Sequence, residues 1–212
     1  MMQAAAIGIC AIFVGLLLWA ERRGDARLKW IAKPGASATF VAVALAGGAL
    51  GSAYGLWVLA ALLCCMAGDI LLIPKGEKTF LAGMAAFAAG HAAYIGAFQS
   101  GAPELTPLVF GAAAAMAVFA GLSLRWLWPH LGAFRAPVAI YSTIIAIMVV
   151  ASFLAAPPAM AAPSAMVIAG AVGFAVSDIA VARDKFVAPG FFNRAWGLPL
   201  YYGAQLLLAA SV

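Results

Sequence analysis

The sequence predicts an all-α, polytopic membrane protein of about eight transmembrane helices, with both termini on the non-cytoplasmic side. Three observations lead there. Hydrophobic residues make up 67% of the 212 and charged residues only 9%, with a mean hydropathy of +1.07. A soluble domain carries roughly 25% charged residues, so a water-soluble monomer is excluded. The apolar runs are continuous and rich in Leu and Ala, whereas barrel strands alternate; in lipid only helices and closed barrels satisfy the backbone, so the runs are helices. Finally, every Lys and Arg falls in alternate connections.

The helices are expected at about 3–20, 36–52, 54–73, 79–98, 105–124, 136–155, 163–182 and 195–211. The first is read as a retained helix, because its basic flank follows the apolar run, the reverse of a signal peptide. The second is entered through Lys33-Pro34-Gly35, and Gly51–Tyr54 separates it from the third. Further breaks fall at Pro74-Lys75-Gly76-Glu77-Lys78, Gly101–Pro107, Trp128-Pro129-His130, Ala156-Pro157-Pro158 with Pro163, and Arg183–Arg194. Each holds Pro, Gly or charge, as helix ends require. Eight spans of about 20 residues nearly exhaust the chain, so residues 1–212 are read as a single transmembrane domain with no soluble part.

Arg22, Arg23, Arg27, Lys29 and Lys33 lie between helices 1 and 2, and Lys75 and Lys78 between 3 and 4. Arg125 and Arg135 flank the 5–6 connection, and Arg183, Lys185 and Arg194 occupy the 7–8 connection. These are all 12 basic residues. The positive-inside rule makes those connections cytoplasmic, in a multi-pass protein of the cell membrane, by expectation a bacterial inner membrane. Topology and anionic lipid account for the net charge of +5, so no nucleic-acid partner is called for. Cys10, Cys64 and Cys65 lie inside apolar runs and read as small packing residues.

The two halves echo each other. Lys33-Pro34 opens helix 2 and Arg135-Ala136-Pro137 opens helix 6; Gly68-Asp69-Ile70 ends helix 3 and Ser177-Asp178-Ile179 ends helix 7. Both aspartates lie on helices running the same way, so a repeat would be of the parallel kind, four plus four.

Five of the seven acidic residues (Glu21, Asp25, Glu77, Glu104, Asp184) sit in connections. Asp69 and Asp178 do not. A carboxylate inside an apolar helix costs several kcal/mol and marks a polar cavity with work to do. Asp69 precedes Pro74 by five residues and Asp178 precedes Arg183 by five, which puts both about 7–8 Å inside the cytoplasmic end. At equal depth they are expected to share one pocket and to divide acid and base roles. Helix 4 offers His91 and Tyr94 on one face, and helix 8 offers Tyr201, Tyr202 and Gln205. Asn193 is placed just before helix 8 and Lys33 just before helix 2. The six tryptophans lie near predicted boundaries and read as interfacial belt residues. Serine-hydrolase elbow, Walker and His-Glu-x-x-His motifs are absent. One His with two Asp leaves a zinc-dependent variant open, although no cofactor is required.

Gly68-Asp69-x-x-Leu72, Phe80-x-x-Gly83-x-x-x-Phe87-x-x-x-His91-x-x-Tyr94, Ser177-Asp178 and Tyr201-Tyr202-x-x-Gln205, in that order, resemble the YhhN/TMEM86 lysoplasmalogenase family. The resemblance covers about residues 29 to 210 and includes the Lys33-Pro34 entry; Val181 stands where the family pattern leads one to expect a bulkier Leu. It implies a membrane hydrolase that cleaves the vinyl ether bond of a lysoplasmalogen, releasing a fatty aldehyde and a glycerophospho-ethanolamine or -choline. Such cleavage needs an acid, a carboxylate that stabilises positive charge and a positioned water. Asp69 and Asp178 are the expected pair, with the acid unassigned. His91, Tyr94, Tyr202 and Gln205 are candidates to orient water and the ether oxygen, and Lys33 and Asn193 to meet the substrate phosphate. The rival is a proton-coupled transporter or lipid flippase using the same aspartates. Against it stand the equal depth of the two carboxylates and the lack of an obvious central Gly or Pro break in any helix.

Overall fold

A computed structural model describes residues 2–101, 103–155 and 162–212. Among the described residues eight long helices follow in order: α1 Met2–Arg23, α2 Ala26–Gly47, α3 Ala53–Leu71, α4 Glu77–Gln99, α5 Pro107–Leu127, α6 Arg135–Leu154, α7 Ala162–Ala182 and α8 Phe191–Ala210. Short 3₁₀ turns at Ala49–Gly51, Trp128–His130 and Gly132–Phe134, and a π turn at Arg183–Val187, lie at the connections. The predicted break at Ala156-Pro157-Pro158 falls outside the described residues, as does Ala102 in the Gly101–Pro107 break; Pro163 lies in the first turn of α7.

Seven of the helices are long and apolar enough to cross a membrane, which makes this a multi-pass membrane fold. The eighth, α8, has a span's length at 20 residues. Its run is diluted by Asn193, Arg194, Tyr201, Tyr202 and Gln205, four of which are buried against neighbouring helices. Hydropathy underrates a helix whose polar groups point inward.

The second helix ends at Gly47, five residues short of expectation, with Gly48 in the left-handed conformation as its C-cap, and two helix starts come early for one reason. The Asp25 carboxylate accepts from Leu28 N at 3.0 Å and caps α2 at Ala26, ten residues before the expected start, so Lys33 lies inside α2 rather than ahead of it. Likewise α8 starts at Phe191, and Asn193 sits in its first turn. Helices here run past the apolar stretch into charged, amphipathic turns that hydropathy does not count. The earlier starts bring Pro34, expected ahead of the second helix, inside α2 and set Pro199 deeper within α8, against the expectation that no helix carries an obvious central Gly or Pro break. Both helices continue through them, as membrane helices do when neighbours satisfy the freed carbonyl.

Small residues let the helices close. A Cβ on Gly90 of α4 would stand 2.7 Å from the Cys65 sulfur of α3, and one on Gly197 of α8 would run into Ala180 of α7, the close approach that membrane bundles favour. α3 packs on α4 and α7 on α8; α2 joins α3 and α8, while α6 joins α4 and α7. These six helices surround a core that includes Phe40, Tyr94, Phe98, Met148, Phe174, Tyr202 and Leu208. α1 leans on both α2 and α8, whereas α5 packs chiefly on α6.

Candidate active site

One end of the bundle holds a cavity of about 580 Å³ lined by Asp69 and Asp178, with Lys33, Asn193, Tyr201, Leu72 and Ser177 around them. The expectation that the two intramembrane carboxyls share one pocket holds. Their partners differ.

Asp69, on the last turns of α3, is buried. Its Oδ1 faces the Lys33 ammonium at 3.3 Å. Its Oδ2 accepts from the Ser37 hydroxyl at 2.7 Å and from Tyr201 at 2.8 Å. Lys33 and Ser37 are one helical turn apart on α2, so a single face of that helix supplies both. The geometry is that of a buried ion pair with both carboxylate oxygens engaged by donors, the arrangement that offsets the desolvation of a buried charge.

Asp178, on α7, is less enclosed, with 17% of its side chain exposed to the cavity. Tyr141 of α6 donates to its Oδ2 at 3.2 Å. His91 Nε2 lies 3.5 Å from the same oxygen, close enough for electrostatic attraction and too far for a well-formed hydrogen bond. Neither ring nitrogen of His91 has a hydrogen-bond partner among the described residues, although the ring is fully buried between Phe174 and Tyr141. Buried polar atoms are seldom left so in native structures. The Asp178 Oδ1 has no protein partner among the described residues.

The remaining expected residues divide. Tyr94, Tyr202 and Gln205 are buried and do not line the cavity. They form its backing: Tyr94 donates to Gln205 Oε1 at 2.6 Å, Gln205 Nε2 donates to Tyr201 at 3.3 Å, and Tyr202 lies beside Ser37 and the Lys33 carbonyl. Asn193 lines the cavity, but its carboxamide is occupied: it accepts from Arg183 and donates to Asp184 and the Ala188 carbonyl. It organises the α7–α8 connection. Lys33 faces Asp69 rather than the cavity mouth.

Sequence reasoning missed Ser37 and Tyr141, and named Tyr201 on helix 8 without giving it a role at the site. Ser37 was legible as the i+4 neighbour of Lys33; nothing in the sequence around Tyr141 ties it to α7. The mouth was also missed. Glu21 pairs with Lys29 at 2.9 Å and Arg194 at 2.9 Å, and Arg194 reaches Asp184 at 2.8 Å. These pairs tie the α1–α2 turn to the α7–α8 connection at the rim, where Lys75 and Lys185 also stand. Among the described residues, no group of three or more His, Cys, Asp and Glu side chains comes together as a metal site would need.

The fold and site define a polytopic membrane protein with an ionisable cavity at the charged end of its bundle. Residues 28–212 match the YhhN family. The chain is 34% identical over 148 residues to lysoplasmalogenase TMEM86A of Bos taurus, covering 68% of this chain and 60% of that protein. It is 34% identical over 163 residues to a lysoplasmalogenase of Mycobacterium tuberculosis, covering 73% and 59%, and 32% identical over 166 residues to lysoplasmalogenase TMEM86B of Sus scrofa, covering 76% and 66%. The matched stretch spans 60% and 59% of the length of the first two. No solved structure matches this chain. The chain belongs to the YhhN family.

Proposed function

We propose that this protein is a membrane hydrolase that cleaves the vinyl ether bond of lysoplasmalogens, with Asp178 as the proton donor and Asp69 as the charge stabiliser. One observation carries the reading: a single cavity lined by two intramembrane carboxyls in different company, one ion-paired with both oxygens engaged, the other open to the cavity with an oxygen to spare. The names of the relatives supply the substrate class.

The chemistry runs as follows. Asp178 passes its proton to the β-carbon of the vinyl ether, leaving an oxocarbenium ion on the ether side. The Asp69 carboxylate, held as an acceptor by Lys33, Ser37 and Tyr201, stabilises that positive charge. Water adds to the oxocarbenium carbon, and its surplus proton returns to Asp178, much as a glycosidase carboxyl alternates between acid and base. The resulting hemiacetal collapses to aldehyde and glycerophospho-alcohol, its hydroxyl proton going to the departing oxygen. His91, 3.5 Å behind Asp178, buffers the proton between the two steps. Tyr94, Tyr202 and Gln205 position Tyr201 and Lys33 from behind, and Asn193 shapes the rim. The eight-span, N-out and C-out topology and the four-plus-four repeat belong to the same proposal. Supporting the repeat, α2 meets α8 as α6 meets α4, and the α3–α4 pair has its counterpart in α7–α8.

Purified protein is expected to release aldehyde from lysoplasmenylethanolamine, and Asp178→Asn to abolish release while the protein still elutes and melts as wild type. Full activity in Asp178→Asn sinks the mechanism, and sensitivity to strong chelators reinstates a metal-dependent variant. A second reading, a proton-coupled transporter or flippase, is favoured by Pro34 and Pro199 inside the helices that carry Lys33 and Tyr201. It requires the buried Tyr94–Gln205 pair and Phe98, which separate this cavity from a smaller one lined by Tyr54, Phe98 and Ser211, to part. Lysolipid flux in proteoliposomes without aldehyde would establish it.

A further inference from the structure

The cavity does not stop at the carboxyls. It runs on to α5, where Met116, Phe119, Ala120, Ser123 and Leu127 line it. Those positions recur at three and four residues and form the less exposed face of α5, while Leu108, Phe110, Val118 and Leu122 point outward. α5 is a peripheral helix packed chiefly on α6, unlike α1, which closes on two neighbours. Met84 of α4 and Val138 and Ile145 of α6 complete the walls.

Polarity follows depth. The charged rim sits at the helix ends, and Asp69 and Asp178 lie about 7–8 Å in. Met116 lies eleven residues from Leu127 along α5, about 16 Å deep, where the lining is apolar. A single-chain ether lipid has the same order: charged headgroup, glycerol, ether oxygen, then hydrocarbon.

We infer that the α5-lined arm of the cavity binds the hydrocarbon chain of a single-chain ether lipid, with Met116, Phe119 and Ala120 setting the chain length the site accepts. This rests on the hydrolase reading for the identity of the lipid, not for the existence of the arm. The chain enters from the bilayer along the flank at α5, so the headgroup stays at the rim while the reactive bond comes to rest beside the carboxyls. The arm is a single apolar run along α5, so the site takes one chain and is selective for lysolipids over two-chain lipids.

A saturated-ether lysophospholipid carrying a diazirine near its chain end provides a probe that hydrolysis cannot consume. Ultraviolet labelling of the purified protein, mapped by peptide mass spectrometry, is expected to mark α5 between Met116 and Ser123 and α4 at Met84. Excess unlabelled lysolipid should compete, and a two-chain lipid should not. Ala120→Trp, which fills the arm, is expected to weaken labelling by the hexadecyl probe at least about tenfold and to leave an octyl probe nearly unchanged. Met116→Ala, a milder change, should shift the preference toward longer chains. Label spread over the outward faces of α1, α3 and α5, or equal competition by a two-chain lipid, overturns the inference. Absence of aldehyde release by the wild-type protein would remove the hydrolase reading alone, since the label map is read without turnover.

Discussion

Lys33 and Asp69 form the pair on which the rest of the site depends. Both are buried, and each neutralises the other across 3.3 Å. Removing one partner of such a pair leaves an uncompensated charge in the bundle, a loss of about 3–5 kcal/mol, whereas replacing both is far milder. Lys33→Met and Asp69→Asn are therefore each expected to lower stability by about that much, and the double variant to recover most of it. Denaturant titration in detergent checks this; additive losses would show that the pair is not coupled. The consequence for function is direct: inactivity of Asp69→Asn counts as catalytic only beside a folded double variant. His91 gives the opposite case. Neither of its nitrogens has a hydrogen-bond partner among the described residues, and its ring sits among aromatic neighbours, so His91→Leu, close to it in volume, is expected to change the melting temperature little, because no formed hydrogen bond is lost there. If His91 holds a proton for Asp178, the same variant loses about 10²-fold in kcat. A variant as active as wild type would return His91 to packing.

At the scale of helices, apolar runs are legible in the sequence, whereas a cap such as Asp25 sets an end that hydropathy does not show. Asp25 extends α2 by three turns past its apolar run, and with that extension Lys33 moves from a connection to the middle of the site. The inward placement of Asp69 and Asp178 was legible because an acid in an apolar helix has few other places to go. The division of their partners was not, since Ser37, Tyr141 and Tyr201 arrive from three helices whose rotations depend on packing. Glycine shows that packing at work. Gly90 and Gly197 face α3 and α7 at distances that admit no Cβ without displacement, while nothing lies within 4 Å of a Cβ built on Gly111 of α5. Gly90→Ala and Gly197→Ala are expected to cost about 1–3 kcal/mol through overpacking. Gly111→Ala should be neutral or gain up to about 1 kcal/mol from helix propensity. A uniform effect at all three positions, measured as shifts of the unfolding midpoint, would contradict the close pairing of α3 with α4 and α7 with α8.

The whole molecule has one charged end, and its orientation decides from which leaflet the cavity is filled. All 12 basic residues lie in or beside the odd-numbered connections. In the fold, several of these residues meet at the cavity rim, where Lys29 and Arg194 share Glu21 and Lys75 and Lys185 line the same opening. On the positive-inside rule that end, and with it both carboxyls, is expected to face the cytoplasmic leaflet. Single cysteines introduced at Gly76 and Gly190 on the charged end, and at Gly51 and Gly101 on the other, test this in a background with Cys10, Cys64 and Cys65 replaced by Ala. All four glycines have room for a side chain short of backbone contact. A membrane-impermeant maleimide applied to intact cells is expected to label positions 51 and 101 at once, and positions 76 and 190 only after permeabilisation. The reverse pattern would turn the protein over and move its lipid supply to the outer leaflet, leaving the chemistry at Asp69 and Asp178 unchanged. Mixed labelling of positions on one end would break the eight-span map itself, because antiparallel helices joined by short connections cannot place neighbouring odd loops on opposite sides.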